Sequence, residues 1–226
     1  MNMETGNTTV QTSCKQCGIC CAKGGAALHS GDLSLLRDKN ILLSDLITIR
    51  KGEFAYNPVT DTVQATQNEI VKLRGSGREW TCCYYDVNSC GCTIYDHRPL
   101  ACHALKCWDP DDSLALVESD LLSRNEILAD NESMQRLVRE FEAACPLPDF
   151  AYLFQKMKNV STDNIVTLEQ SVNSDLEFRD RVVKESAEVS REEMFLFGRP
   201  LFQLLQSFGF DVFQSGSHLR LHLQAP

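Results

Sequence analysis

The sequence predicts an α+β protein, in which an irregular cysteine-rich metal-binding half with a small antiparallel sheet packs against a helical C-terminal half. Three observations carry that prediction. Ten of the eleven cysteines lie in the first 107 residues. Short β-prone runs, punctuated by Gly and Pro, occupy residues 46–73. Beyond Pro110 the apolar residues recur with the period of a helix. With 226 residues and 43% apolar content the chain can build an ordinary core. The composition shift divides it into a cysteine-cluster domain at 14–110 and a mainly helical region at 111–226, expected to pack together as one unit.

Each element follows in order. Residues 1–13 are polar and read as a disordered lead-in, without the basic and apolar parts of a signal peptide. Ser30-Gly-Asp32 resembles a helix start, and Leu33, Leu35 and Leu36 give that helix a short apolar face. Leu46–Arg50, Thr62-Val63 and Glu69–Leu73 predict the small antiparallel sheet. Leu114, Val117, Leu121 and Leu128 predict one helix across 113–129. Met134, Leu137, Val138, Phe141 and Ala144 predict another across 132–144, broken by Pro146 and Pro148. Further helices are expected at 149–158, at 162–193, and from Pro200 with a Leu201, Leu204, Leu205, Phe208 stripe. Phe210–Phe213 and His218–Leu223, split by Ser215-Gly-Ser217, read as a terminal hairpin.

The charge balance narrows the function classes. A formal charge of −9 disfavours nucleic acid, whose phosphates need a basic face. No apolar stretch approaches the roughly 18 residues of a membrane span. A soluble, cytoplasmic protein is expected, and in a reducing cytosol clustered cysteines read as ligands or redox centres rather than disulfides.

The first cluster is Cys14-Lys-Gln-Cys17-Gly-Ile-Cys20-Cys21, in which thiolates two residues apart converge on a turn that Gly18 makes possible. Neighbouring side chains on an extended backbone point to opposite faces, so Cys20 and Cys21 are expected to serve different ions or to bridge two. A tetrahedral site needs four ligands. The second cluster supplies more, with Cys82, Cys92 and Cys102 folding back across some sixty residues to meet the first. The candidate metal ligands are therefore Cys14, Cys17, Cys20, Cys21, Cys82, Cys92 and Cys102. Cys83 and Cys90 read as spare thiols and Cys145 as a packing residue, while Cys107 is an open case. His29 is a remote candidate, and His103 could donate to a thiolate or ligate. Arg98 either offsets thiolate charge or pairs with Asp96 or Asp86.

CxxCGxCC near the start, followed by Cys82-Cys-Tyr-Tyr, Cys92-Thr-Ile-Tyr95, Arg98-Pro99 and Cys102, resembles the YkgJ-type cysteine-cluster family of zinc- or iron-chelating domains. The resemblance covers about residues 14–107. It departs from the family pattern at His103, where Arg is common. It implies metal chelation with no assigned catalytic activity. The same motif also occurs in flagellin lysine methylases, enzymes associated with S-adenosylmethionine, but nothing in 108–226 reads as a nucleotide-binding βαβ unit. All-cysteine ligation suits zinc, with iron or an iron–sulfur cluster of an electron-transfer protein as the alternative. Zinc is favoured because no flavin site, redox-partner motif or radical machinery is visible. The metal ion is the expected partner, and the helical half offers apolar surface to a protein partner.

Overall fold

In the computed structural model, which describes residues 11–77, 79–156, 162–216 and 218–223, the chain is α+β, and every strand pair is an antiparallel two-stranded ribbon. Most of the expected lead-in, residues 1–10, lies outside the described residues. The chain opens with a one-turn helix α1 (Ile19–Ala22), then a short helix α2 (Leu33–Arg37). Strand β1 (Leu46–Ile49) pairs with β4 (Ile70–Leu73), and between them β2 (Phe54–Asn57) pairs with β3 (Thr62–Ala65). The expected single sheet is thus two ribbons, and β2 is a strand that the sequence pattern did not single out. On its other edge β4 bonds the segment at 26–28, through Leu28 N to Val71 O and Leu73 N to Ala26 O.

Three small cysteine-bearing pieces follow. Strands β5 (Gly75–Ser76) and β6 (Thr81–Cys82) pair, as do β7 (Tyr85–Asp86) and β8 (Gly91–Cys92), before helix α3 (Leu100–Ala104). The helix expected across 113–129 is not formed. In its place stand two one-turn helices, α4 (Asp111–Leu114) and α5 (Arg124–Ile127). Glu118 and Asp120 between them adopt left-handed backbone. The reason is local: Leu122 N bonds Leu28 O, and Ser123 with Glu126 forms a capping box that starts a new helix.

Helix α6 (Glu132–Ala144) forms over the predicted residues and buries Met134, Val138 and Phe141. Helix α7 (Phe150–Lys156) follows; the remainder of the helix expected to 158 lies outside the described residues. The long helix expected over 162–193 is two, α8 (Thr162–Glu185) and α9 (Ala187–Phe197). Ser186, in extended backbone, caps the second by accepting from Val189 N. Helix α10 (Leu201–Gln206) and the hairpin β9 (Phe210–Ser215) with β10 (His218–Leu223) complete the chain, in the register Phe210 to Leu223.

Two buried clusters hold these elements. The larger joins Leu28, Leu46, Val71, Leu73 and Cys82 to Phe141, Phe178 and the Phe195–Phe197 run, so residues from both sides of Pro110 share one core. The run Met194–Phe197 is core, not surface: its last three residues are fully buried. Gly198 takes φ +69°, and a Cβ there would stand 2.6 Å from Thr48 O, so only glycine lets α9 end this close to β1. The smaller cluster packs Phe150, Leu168, Val172, Leu201, Leu204, Leu205 and Phe210.

Candidate metal centre

The first cysteine turn is shaped by Gly18. Its φ of +75° lets the chain enter α1, and a Cβ would fall 2.3 Å from the ring of Tyr85. The ring therefore lies flush on the turn, with Cys20 exposed and Cys21 half-buried against the larger core. Because both sit in α1 rather than on an extended backbone, the expectation that they point to opposite faces does not hold: helical neighbours diverge by about 100°, and Cys20 helps to raise the Cys21 thiol.

The second cluster is pinned from several directions. Asp45 accepts from Tyr84 Oη at 2.6 Å, and its carbonyl accepts from Arg74 N at 2.7 Å. Asp86 accepts from Asn88 N, Ser89 N and Ser89 Oγ, which fixes the turn before Cys90 and Cys92 and holds its carboxyl below the usual range. Asp32, buried, accepts from His29 N and, at 2.8 Å, from Leu100 N. That bond docks the start of α3, and so Cys102, onto the segment that precedes α2.

This scaffold brings five thiols into one another's electrostatic field: Cys20, Cys21, Cys82, Cys92 and Cys102. Burial pushes Cys102 up to about 12, and the charges of Cys82, Cys20, Cys21 and Cys92 push the same way. Cys21 is raised by burial, by Cys20, and by Cys82 and Cys92. Cys82 runs the other way: a hydrogen bond from Cys83 and the Lys72 charge hold it below the ordinary thiol range against burial. Cys83 is pushed up by Cys82 and by burial, and its S–H donates to the Asp45 carbonyl at 3.7 Å.

Cys14 and Cys17 stand on the turn that leads into α1. Both are exposed; the Cys14 thiol accepts from Gln16 N at 3.3 Å, and Cys17 faces Tyr85, whose hydroxyl it helps to raise. Cys90 and Cys107 are exposed, the first donating to Val87 O and the second accepting from Gln11. Cys145 is buried in the larger core and donates to Ser174 O. His29 is buried, its Nε2 against Leu116 O, and it takes no part in the thiol group. His103 is exposed on α3. Arg98 stacks 3.6 Å over the Tyr95 ring, donates to Tyr95 O, and favours the Cys92 thiolate by its charge. No carboxylate among the described residues pairs with it.

Two contributors escaped the sequence reading. Lys72 was legible in principle: Ile70 to Leu73 alternate, and the alternation places Lys72 opposite the buried Val71 and Leu73. Tyr85 carried no comparable signal, because its contact with Gly18 spans 67 positions of sequence.

Among the described residues, no group of three or more His, Cys, Asp or Glu side chains is drawn tightly enough to hold an ion. The arrangement is a gathering of thiols rather than a formed coordination shell. Its chemistry nevertheless suits a thiophilic cation, since a positive charge among buried thiols favours their thiolate form.

A family model spans residues 13–146, and the chain belongs to that family, CxxCxxCC: Putative zinc- or iron-chelating domain. No curated protein and no solved structure matches it. The match runs past Cys107 to Pro146 and so takes in helix α6. No helix of the described residues is long and apolar enough to cross a membrane.

Proposed function

We propose that this protein binds zinc in the cytoplasm through Cys20, Cys21, Cys82, Cys92 and Cys102. Cys14 and Cys17 supply further thiolates from the exposed turn. One observation carries the reading: thiols from four short elements, α1, β6, β8 and α3, converge, and burial together with neighbouring thiols raises Cys21, Cys92 and Cys102, a cost that a divalent ion removes. The ion would cross-link those segments, so its binding free energy is folding free energy. Lys72 beside Cys82 and Arg98 beside Cys92 offset part of the remaining negative charge. An all-thiolate site of this kind is structural or metal-handling, and no catalytic role is assigned to it.

The test is metal analysis with an absorption spectrum, on full-length protein purified without oxygen and without a metal-affinity tag. Zinc at one or two equivalents with a featureless visible spectrum is expected. Iron with sulfide and a band near 400 nm (roughly where thiolate-to-iron charge transfer falls) would overturn zinc in favour of an iron–sulfur redox centre. Cys102→Ser is expected to weaken zinc binding by more than about tenfold, on the scale of losing a metal-site contact. Cys145→Ser is expected to retain zinc; equal retention by both would overturn the ligand assignment.

A further inference from the structure

A cavity of about 400 Å³ opens between the β2–β3 hairpin, α7 and the end of α10. That volume lies within the range of small-molecule sites. Its body is aromatic. Phe150 and Phe208 stack with centroids 5.0 Å apart and planes 9° from parallel, and Phe54 tilts over Phe208 at 5.3 Å. Tyr56 and Val63, a cross-strand pair, stand exposed at its rim.

One end is polar. Glu53, 1% exposed, accepts from Arg199 Nε at 2.8 Å and from Arg199 Nη2, while its second oxygen accepts from Arg50 N. Arg199 is less deeply covered than Glu53, and its Nη1 donates to no acceptor among the described residues. Glu53 therefore orients the guanidinium from behind and leaves an unused N–H pair on a cavity wall. An apolar cavity closed at one end by a fixed guanidinium suits an aromatic ring bearing a carboxylate.

We propose that this cavity binds a small aromatic carboxylate, its ring in the space bounded by Tyr56, Val63 and Phe208 and its carboxylate on Arg199. The site is separate from the thiols. Phe150, Arg199, Leu204, Ser207 and Phe208 all lie beyond residue 146, where the family match ends. Glu53, Phe54, Ala55, Tyr56 and Val63 fall within the match, so the cavity lies where the matched domain meets the region beyond it.

The test titrates full-length protein with naphthoate and with naphthamide, followed by calorimetry and ligand-observed NMR. Saturable naphthoate binding, tighter than naphthamide by about tenfold or more, is expected from the charge-assisted contact. Ser207→Trp, which fills the cavity from an exposed position, should abolish it. The pair Glu53→Gln with Arg199→Gln replaces the ion pair by facing amides and should erase the preference for the acid while neutral binding persists. Cys102→Ser should bind naphthoate normally, since the thiols take no part. Absence of saturable binding, equal affinity for the amide, or loss of naphthoate in Cys102→Ser would each overturn the proposal. So would undiminished binding by a folded Ser207→Trp; should that variant not fold, the double variant decides by whether the preference survives.

Discussion

Gly18 is where a single atom decides the metal centre's shape. Its positive φ and the Tyr85 ring, 2.3 Å from where a Cβ would stand, oppose any other residue twice over. Gly18→Ala should cost about 2 kcal/mol, combining backbone strain with overpacking. It should also displace Tyr85 from the turn bearing Cys17, Cys20 and Cys21. The check is thermal unfolding together with bound metal: a variant that keeps both at wild-type values would remove Tyr85 from the account. Residue chemistry made the cysteines visible in the sequence, because so many thiols in so few positions have few other uses. It could not reveal which would meet, since Cys21 and Cys102 are brought together by Asp32 and Leu100, residues with no chemical signature of their own.

Between elements, buried guanidinium groups do much of the joining. Arg124, at the start of α5, bonds Glu69, Glu142 on α6, and Leu196 O on α9. Arg50, just past β1, bonds Glu142 and Cys145 O. Arg124→Ala leaves Glu69 only the backbone N–H of residue 124 and removes the links to α6 and α9, and should cost about 3–5 kcal/mol, the range for a broken buried pair. Urea denaturation measures it, and a loss under about 1 kcal/mol would mean the network is dispensable. Glu142 adds a pH signature. Burial opposes its ionisation, yet the hydrogen bonds and charges of Arg50 and Arg124 prevail and hold its carboxyl below the usual glutamate value. A depressed folded-state value contributes stability that is complete above the unfolded value of about 4.3 and is withdrawn as pH falls through the folded one. The wild type should thus lose stability below about pH 5, and Glu142→Gln should lose less over the same interval, measured as the shift in urea midpoint between neutral and acid pH. These elements were unevenly legible. The stripe of α6 reports a face that is truly buried. The 113–129 spacing does not, because Leu122 pairs its backbone with Leu28 and the chain must turn to reach it. The break at Ser186 was written in a capping serine, but the charge-laced helix around it masked the signal.

At the scale of the whole molecule the two cores differ in what they ask of a metal. The larger includes Cys82 and packs against Cys21, Tyr84 and Ile94, whereas the smaller contains no cysteine. Around the thiols the secondary structure is slight: two ribbons of two residues per strand and two one-turn helices, tied by single bonds such as Leu100 N to Asp32. Burial raises the Cys102 thiol, up to about 12, whereas Cys82 is held low, so chelation acts on the thiols unequally. What it removes is the cross-link, and the cost falls on segments with little else to hold them. The smaller core is secured independently. Asn173 bonds Leu219 at both N and O, Glu169 accepts from Leu221 N, and Asp175 with Arg179 ties α8 to Leu201 N and Phe197 O. Hydrogen exchange of the full-length protein before and after chelation should therefore show protection lost at 14–23 and 81–107 and retained at 168–182 and 210–215. Uniform loss would make the metal a determinant of the entire fold, and no change at all would mean the thiols hold no structural ion.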